Sequence, residues 1–267
     1  MIIYKYIDSW GEKILNGLRI KISDPRNFND PFEFLPRIRG EITNEEIEAK
    51  FDEPAYRENY FRHHLEQGIV ESREDFEVWL EANRAQLLSA MGIAYRGRNY
   101  KPLDFREIAA KKFGVTCFSA KHDNLLLWAH YADNHKGIVV GFEREFFGPL
   151  IYDVAYAQQR VLYSPVMTGD PRDSTIVSVL RTKSPEWVHE EEWRAIIPWD
   201  LCIEESGFWF YPVHPSAIKE VVFGVRIDPA LRQSIIDKKS NAFGHLKLFD
   251  ARLCDETFAL RIEPDVV

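Results

Sequence analysis

Apolar residues alternate with polar ones over short runs near both ends of the chain and recur at helical spacing between them. "MIIYKYI" and "GLRIKIS" read as strands, and "DPRNFNDPFEF" reads as a turn-rich loop with two prolines. At Thr43 the period changes. Thr43 followed by Glu46 forms a capping box, and a second helix starts at Ser72, carries Phe76, Trp79, Asn83, Leu87 and Met91 at helical spacing, and ends at Gly92. Beyond it "FGVTCFS", "GIVVGFE", "LIYDVAYA", "EWRAIIP", "FWFYP", "IKEVVFGVRI", "LKLFDARL" and "TFALRIE" read as strands. Helices are expected at Asn124–Asn134, Asp173–Lys183 and Asp228–Lys239, the last opened by the Asp228-Pro229 cap. This irregular interspersion predicts an α+β fold with a mixed, largely antiparallel sheet core, in one domain over residues 1–267 with a helical insertion at about 41–112.

Composition narrows the function classes. A chain of 267 residues, 45% hydrophobic and 13% aromatic, has enough apolar surface for a large core. Its net charge of -8 argues against coating nucleic acid by bulk electrostatics. One strip departs from that balance: Arg96, Arg98, Lys101, Arg106, Lys111 and Lys112, with Tyr95 and Tyr100 interleaved. Within 95–112 this mixture suits a nucleic-acid backbone, a polyphosphate or a protein target, or else a solvated linker closing the insertion. Cys117, Cys202 and Cys254 are odd in number and widely spaced, so neither a disulfide framework nor a metal-binding pair is expected. The opening residues lack a basic and then apolar leader pattern, and no apolar run reaches bilayer-spanning length. A cytoplasmic protein without membrane contact is the expectation.

Three segments concentrate chemistry. "LLWAHYADNHKGIVVGF" reads as a helix that stops at Gly137 and turns into a strand, clustering Trp128, His130 and Tyr131 at the corner. These rings either tie the helix to neighbouring strands or form a wall that stacks on a base and bonds a ribose. His130 and His135 are five apart and share no helix face, so no metal site is expected. In "FNDPFEF", Asn29 and Asp30 precede Pro31 and favour a turn bonded to its own backbone, while Asp30 and Glu33 are carboxylates able to orient Arg194 or a ligand hydroxyl. In "EEEWRAIIP", a two-residue period places Glu190, Glu192 and Arg194 on one face, as a carboxylate pair or as an exposed ion pair.

"FNDPFEF", "CFSAKHDNLLLWAHYADNHKGIVVGF" and "KSPEWVHEEEWR" followed by "IKEVVFGVRI" resemble, in order and wording, the bacterial domain-of-unknown-function family 2971. That resemblance implies a prokaryotic cytoplasmic protein of the kind met in toxin or phage-defence settings. The acidic motif is also similar to the E-x-E signature of ADP-ribosyltransferases. This similarity implies that Glu192 stabilises a ribose cation, Glu190 prepares the acceptor, Ser119 supplies the strand-end serine, and NAD is the co-substrate. Where that family offers Arg or His on its first strand, this chain offers Lys5 beside Tyr6. Asn29, Asp30, Trp128, His130, Tyr131, Lys183 and Arg194 complete the candidate binding surroundings of a nucleotide ligand. Two other readings stay open: a non-catalytic nucleotide- or nucleic-acid-binding sensor, and a nuclease holding Mg2+ between Asp30, Glu33 and Glu190. Convergence of Ser119, His130, Tyr131 and Glu192 on one cleft separates the enzyme reading from the rest.

Overall fold

A computed structural model describes residues 1–9, 11–164, 166 and 174–265. The chain forms two compact units: Met1–Glu33 with Arg106–Gln159 and Arg181–Val267, and Phe34–Phe105 with Arg160–Leu180.

The first unit is built on an eight-stranded sheet in the order Leu260–Pro264, Lys247–Leu253, Ile218–Phe223, Ile138–Glu143, Ile2–Ile7, Phe113–Ser119, Glu192–Pro198 and Ile151–Asp153. Every neighbouring pair is antiparallel except Ile218–Phe223 with Lys247–Leu253, which run parallel. A parallel pair needs a crossover, and the helix Pro229–Ala242 supplies it. Asp228 caps that helix by accepting from Ala230 N and Leu231 N. The fold is α+β with a mixed, mostly antiparallel sheet.

Alternation along Ile138–Glu143 shows how the sheet separates two cores. Ile138, Val140 and Phe142 pack with Ile3, Ile14 and Ile235, while Val139 points the other way and joins Trp128, Ala132 and Val222. All of these are buried, so the run is apolar on both faces, as expected of a central strand covered on each side.

One junction in the sheet is open. Ile2–Ile7 pairs along its whole length with Ile138–Glu143, and Phe113–Ser119 does the same with Glu192–Pro198. Facing each other, Ile2–Ile7 and Phe113–Ser119 meet only at Tyr4 and Ser119. Beyond that contact the strands part, and Val115 exchanges both backbone bonds with Ser23 instead, at 2.9 Å each. Lys5 Nζ donates to Cys117 O at 3.1 Å, satisfying a carbonyl at the parted edge.

The helix at the aromatic corner is shorter than its pattern suggests. It covers Leu125–Tyr131, with Asn124 accepting from Leu126 N and Leu127 N, and does not reach Gly137. Asp133, Asn134 and His135 have φ of 47°, 53° and 68°, so three left-handed residues carry the chain to the strand. Gly137 is required for a different reason, because a Cβ there would lie 2.0 Å from Ile7 O. Only a glycine permits that approach.

In the second unit, helices Asn44–Phe51, Pro54–Glu66 and Arg73–Arg96 enclose Phe51, Val70, Phe76 and Leu80. Both expected caps form. Thr43 and Glu46 close a reciprocal capping box, and Ser72 Oγ accepts from Asp75 N at 3.1 Å. The third helix continues past the expected stop at Gly92 to Arg96, because an isolated glycine still makes backbone bonds; Gly97 N closes the last turn on Ile93 O at 2.9 Å. The expected helix at Asp173–Lys183 is Ser174–Arg181; Asp173 lies outside the described residues, and Thr182–Lys183 pairs parallel with Ala155–Tyr156. Phe34, the first residue of this unit, is a non-glycine at φ 58°.

Candidate functional site

A cavity of about 360 Å³ lies in the first unit where the sheet parts. Tyr4, Lys5 and Tyr6 line it from one strand, and Thr116, Cys117 and Ser119 from the other. Its volume suits a small organic ligand.

The acidic motif reaches this cavity by an irregular path. Pro185–Glu190 is a 3-10 turn, Glu191 adopts a left-handed φ of 43°, and the strand begins at Glu192. Glu190 and Glu192 therefore do not share a strand face by the two-residue period. A lysine brings them together instead. Lys183 Nζ bonds Glu190 Oε2, donates to Glu192 Oε2 at 2.9 Å and stands 3.6 Å from Glu33 Oε1. Arg194 Nε donates to Glu192 Oε1 at 2.7 Å, and Arg194 Nη2 reaches Glu192 Oε2 at 3.1 Å and Glu33 Oε1 at 2.7 Å. The five side chains form one buried network, with Glu192 4% exposed and Arg194 0%. The alternative of an exposed surface ion pair is thereby overturned: these charges stand in low-dielectric surroundings, where pairing is required.

The surroundings set the charge states. Burial works to raise the Glu192 carboxyl, but the charge and hydrogen bonds of Arg194, aided by Lys183, override it and hold the group at about 2. Glu33 goes the opposite way: burial raises it, and Arg194 offsets that only in part. Its Oε2 is buried without a hydrogen-bond partner among the described residues. Burial alone would lower Lys183, yet the charges of Glu192 and Glu190 raise it. Lys5 is lowered, chiefly by burial.

Ser119 and Tyr131 complete the acidic side of the cavity. Ser119 Oγ donates to Glu190 O at 2.7 Å and accepts from Lys121 N at 3.1 Å. Tyr131 OH donates to Glu190 Oε1 at 3.3 Å, and Asn29 Nδ2 donates to Tyr131 OH at 3.5 Å. Burial and the Glu190 charge push the Tyr131 phenol up to about 12, so it is a donor across the physiological range. Tyr6 OH donates to Lys121 O at 2.9 Å and accepts from Asn124 N at 3.2 Å.

Other candidates stand elsewhere. Trp128 is fully buried, its Nε1 donates to His122 O at 2.8 Å, and its ring stacks on His135, so it packs the corner and is not a cavity wall. The neighbouring Leu127 lines the cavity together with Tyr131. His130 is exposed and does not line it either, because its side chain leaves the helix on another face. Asp30 accepts from Phe32 N at 2.9 Å, the self-bonded turn expected of its position, and lies off the cavity wall. Sequence reasoning passed over Tyr156, whose OH accepts from Glu192 N at 2.9 Å, and Cys117, whose thiol burial and the nearby Glu192 charge raise. Neither carries a local signal, since only strand pairing brings them to Glu192.

In the basic strip, Arg96 Nε donates to Ile42 O at 3.0 Å and its Nη2 bonds Asn44 Oδ1, so this cation ties helices within the second unit. Arg98 contacts Tyr100 OH at 3.5 Å, and Lys101 is exposed. Among the described residues no group of three His, Cys, Asp or Glu side chains is placed to share a metal ion, and no helix is long and apolar enough to cross a membrane.

Neither the curated proteins nor the solved structures contain a significant match to the chain. Residues 127–195, which carry Leu127, Tyr131, Lys183, Glu190, Glu192 and Arg194, match the model of a family described as a protein of unknown function (DUF2971).

Proposed function

We propose that the cavity binds NAD and breaks the bond between its nicotinamide and ribose, making the protein an ADP-ribosyltransferase-like or NAD-glycohydrolase-like enzyme. One observation carries the reading: Ser119, Tyr131 and the neighbouring Glu190 and Glu192, drawn from three segments of the chain, line the same 360 Å³ cavity, while His130 stays outside it. Breaking an N-glycosidic bond develops positive charge on the ribose, and a fixed carboxylate stabilises it. Glu192 has the required charge, since its network keeps it ionised down to about pH 2. Glu190, bonded by Tyr131, faces the acceptor, which is water in hydrolysis and a target nucleophile in transfer. Leu127, Phe28 and Tyr131 offer apolar and aromatic surface for the rings. Lys5 spends two donors on Thr116 Oγ1 and Cys117 O, at 2.8 and 3.1 Å, and directs the third to a phosphate. An enzyme of this kind depletes cellular NAD or modifies a target, as a toxin or defence effector does.

A second reading has an observation of its own. Both oxygens of Glu192 already have cationic partners, an arrangement equally suited to a sensor that binds a nucleotide without chemistry. Incubating the purified protein with NAD, with and without cell lysate, and measuring nicotinamide and attached ADP-ribose separates the two. Release of nicotinamide that falls in Glu192→Gln supports the enzyme. Binding of NAD or ADP-ribose without release leaves the sensor, and neither binding nor release defeats both.

A further inference from the structure

Glu33 belongs to no part of the proposed chemistry, yet it is 2% exposed and sits inside the charge network. Its loop is built to deliver it there. Asp30 accepts from Phe32 N at 2.9 Å and its carbonyl accepts from Glu33 N at 3.1 Å, a tight turn that aims the next side chain inward. The following residue, Phe34, takes a left-handed φ of 58°, a conformation that costs a non-glycine residue energy and persists only where the surroundings impose it.

At the far end of the side chain, the two oxygens differ. Oε1 accepts from Arg194 Nη2 at 2.7 Å, whereas Oε2 is buried with no hydrogen-bond partner among the described residues. The same Nη2 reaches Glu192 Oε2 at 3.1 Å, so one nitrogen is shared between Glu33 and Glu192. Among the described residues the network has three carboxylates, Glu33, Glu190 and Glu192, against two cations, Lys183 and Arg194. A buried carboxylate that is surplus to the cations and half-bonded is an unfavourable group to keep for stability alone.

We propose that Glu33 is a positioning residue: it fixes the Arg194 guanidinium, and through it holds the Glu192 carboxylate at the angle and charge that the cavity presents to its ligand. This rests on the NAD reading only for its catalytic consequence. The hold on Arg194 is testable without NAD. Glu33→Met removes the acceptor while keeping most of the buried volume, and Glu33→Gln keeps an acceptor oxygen for Nη2 without the charge. The first measurement is hydrogen exchange of the Arg194 Nε–H by nitrogen-15 NMR, assigned with Arg194→Lys. In Glu33→Met this exchange quickens at least tenfold, and in Glu33→Gln it stays near wild type. The second is nicotinamide release: Glu33→Met lowers kcat about tenfold or more with KM little changed, Glu33→Gln restores most of it, and adding Glu33→Met to Glu192→Gln lowers kcat no further. Should Glu33→Met not fold, Glu33→Asp, with its carboxylate one methylene short, is read the same way. Arg194 exchange equal to wild type in a folded Glu33→Met or Glu33→Asp protein, or a Glu33→Gln protein as impaired as Glu33→Met, overturns the proposal. A wild-type protein that releases no nicotinamide defeats the NAD reading and leaves the proposal to the exchange result.

Discussion

Glu192 is held by two cations against a burial that would otherwise neutralise it, and Arg194 and Lys183 win. Its substitution therefore acts on two properties at once. In Glu192→Gln the charge that would face a developing ribose cation is gone, and nicotinamide release should fall about 100-fold or more. The same change leaves Arg194 and Lys183 short of a carboxylate in a buried setting, so thermal unfolding should also shift downward, by about 3 kcal/mol. Activity must accordingly be scored per folded molecule, by pairing the nicotinamide assay with circular dichroism. Tyr131→Phe is the gentler probe: it removes one hydroxyl from the long bonds to Glu190 and Asn29, and should reduce stability by no more than about 1 kcal/mol. A loss of NAD binding or turnover in that variant, read by calorimetry and nicotinamide release, places the phenol against the ligand. Unchanged binding and turnover remove it. The motif "EEEWR" made the two carboxylates legible and Lys183 was a binding candidate, but its bonds to both carboxylates were not legible, because they are assembled by a turn and a strand whose geometry has no sequence period.

Elements with strong end signals formed where the pattern placed them. Thr43 and Glu46 make their capping box, and Thr43→Ala should lower the stability of the second unit by about 1 kcal/mol in urea unfolding. Strand Phe113–Ser119 and strand Glu192–Pro198 follow their apolar runs residue for residue. The misplaced boundaries have a common cause. Gly92 and Gly137 both looked like stops, but the first sits within a helix that continues, and the second clears the way for the carbonyl of Ile7. Gly137→Ala should therefore destabilise by more than about 3 kcal/mol, since its Cβ would meet backbone rather than a side chain that can move. Gly92→Ala should instead be near neutral or stabilising, provided the tip of Arg96, 3.0 Å from the new Cβ, swings aside. Equal effects of the two substitutions on the melting temperature would contradict this assignment.

Across the whole molecule, the charge network predicts a pH response with a definite sign. The folded-state value of Glu192 lies below its ordinary 4.5, at about 2, so its contribution is present above pH 4.5 and is lost as the pH falls from there toward about 2. Glu33 is raised, so its contribution is present at low pH and lost as the pH rises through that raised value. Melting curves should show an acid limb between about pH 4.5 and 2 that flattens in Glu192→Gln, and a loss toward higher pH that disappears in Glu33→Gln. The basic strip gives a second test at this scale: if 95–112 meets nucleic acid, binding at low salt weakens steeply as salt rises, and Lys101→Glu weakens it more than Arg96→Gln, whose cation already serves Ile42 and Asn44. By itself the sequence determined the α+β class, the strand runs, the helix caps and the set of residues able to do chemistry, because these depend on local periodicity and on side-chain identity. Which of those residues meet was decided by the tertiary structure alone. Strand pairing opens the sheet beside Tyr4 and Ser119, a left-handed Glu191 turns Glu190 back toward Glu192, and the remote Glu33 arrives to bond Arg194. None of these contacts has a period along the chain, since each depends on two segments far apart in sequence being brought within a hydrogen bond of each other.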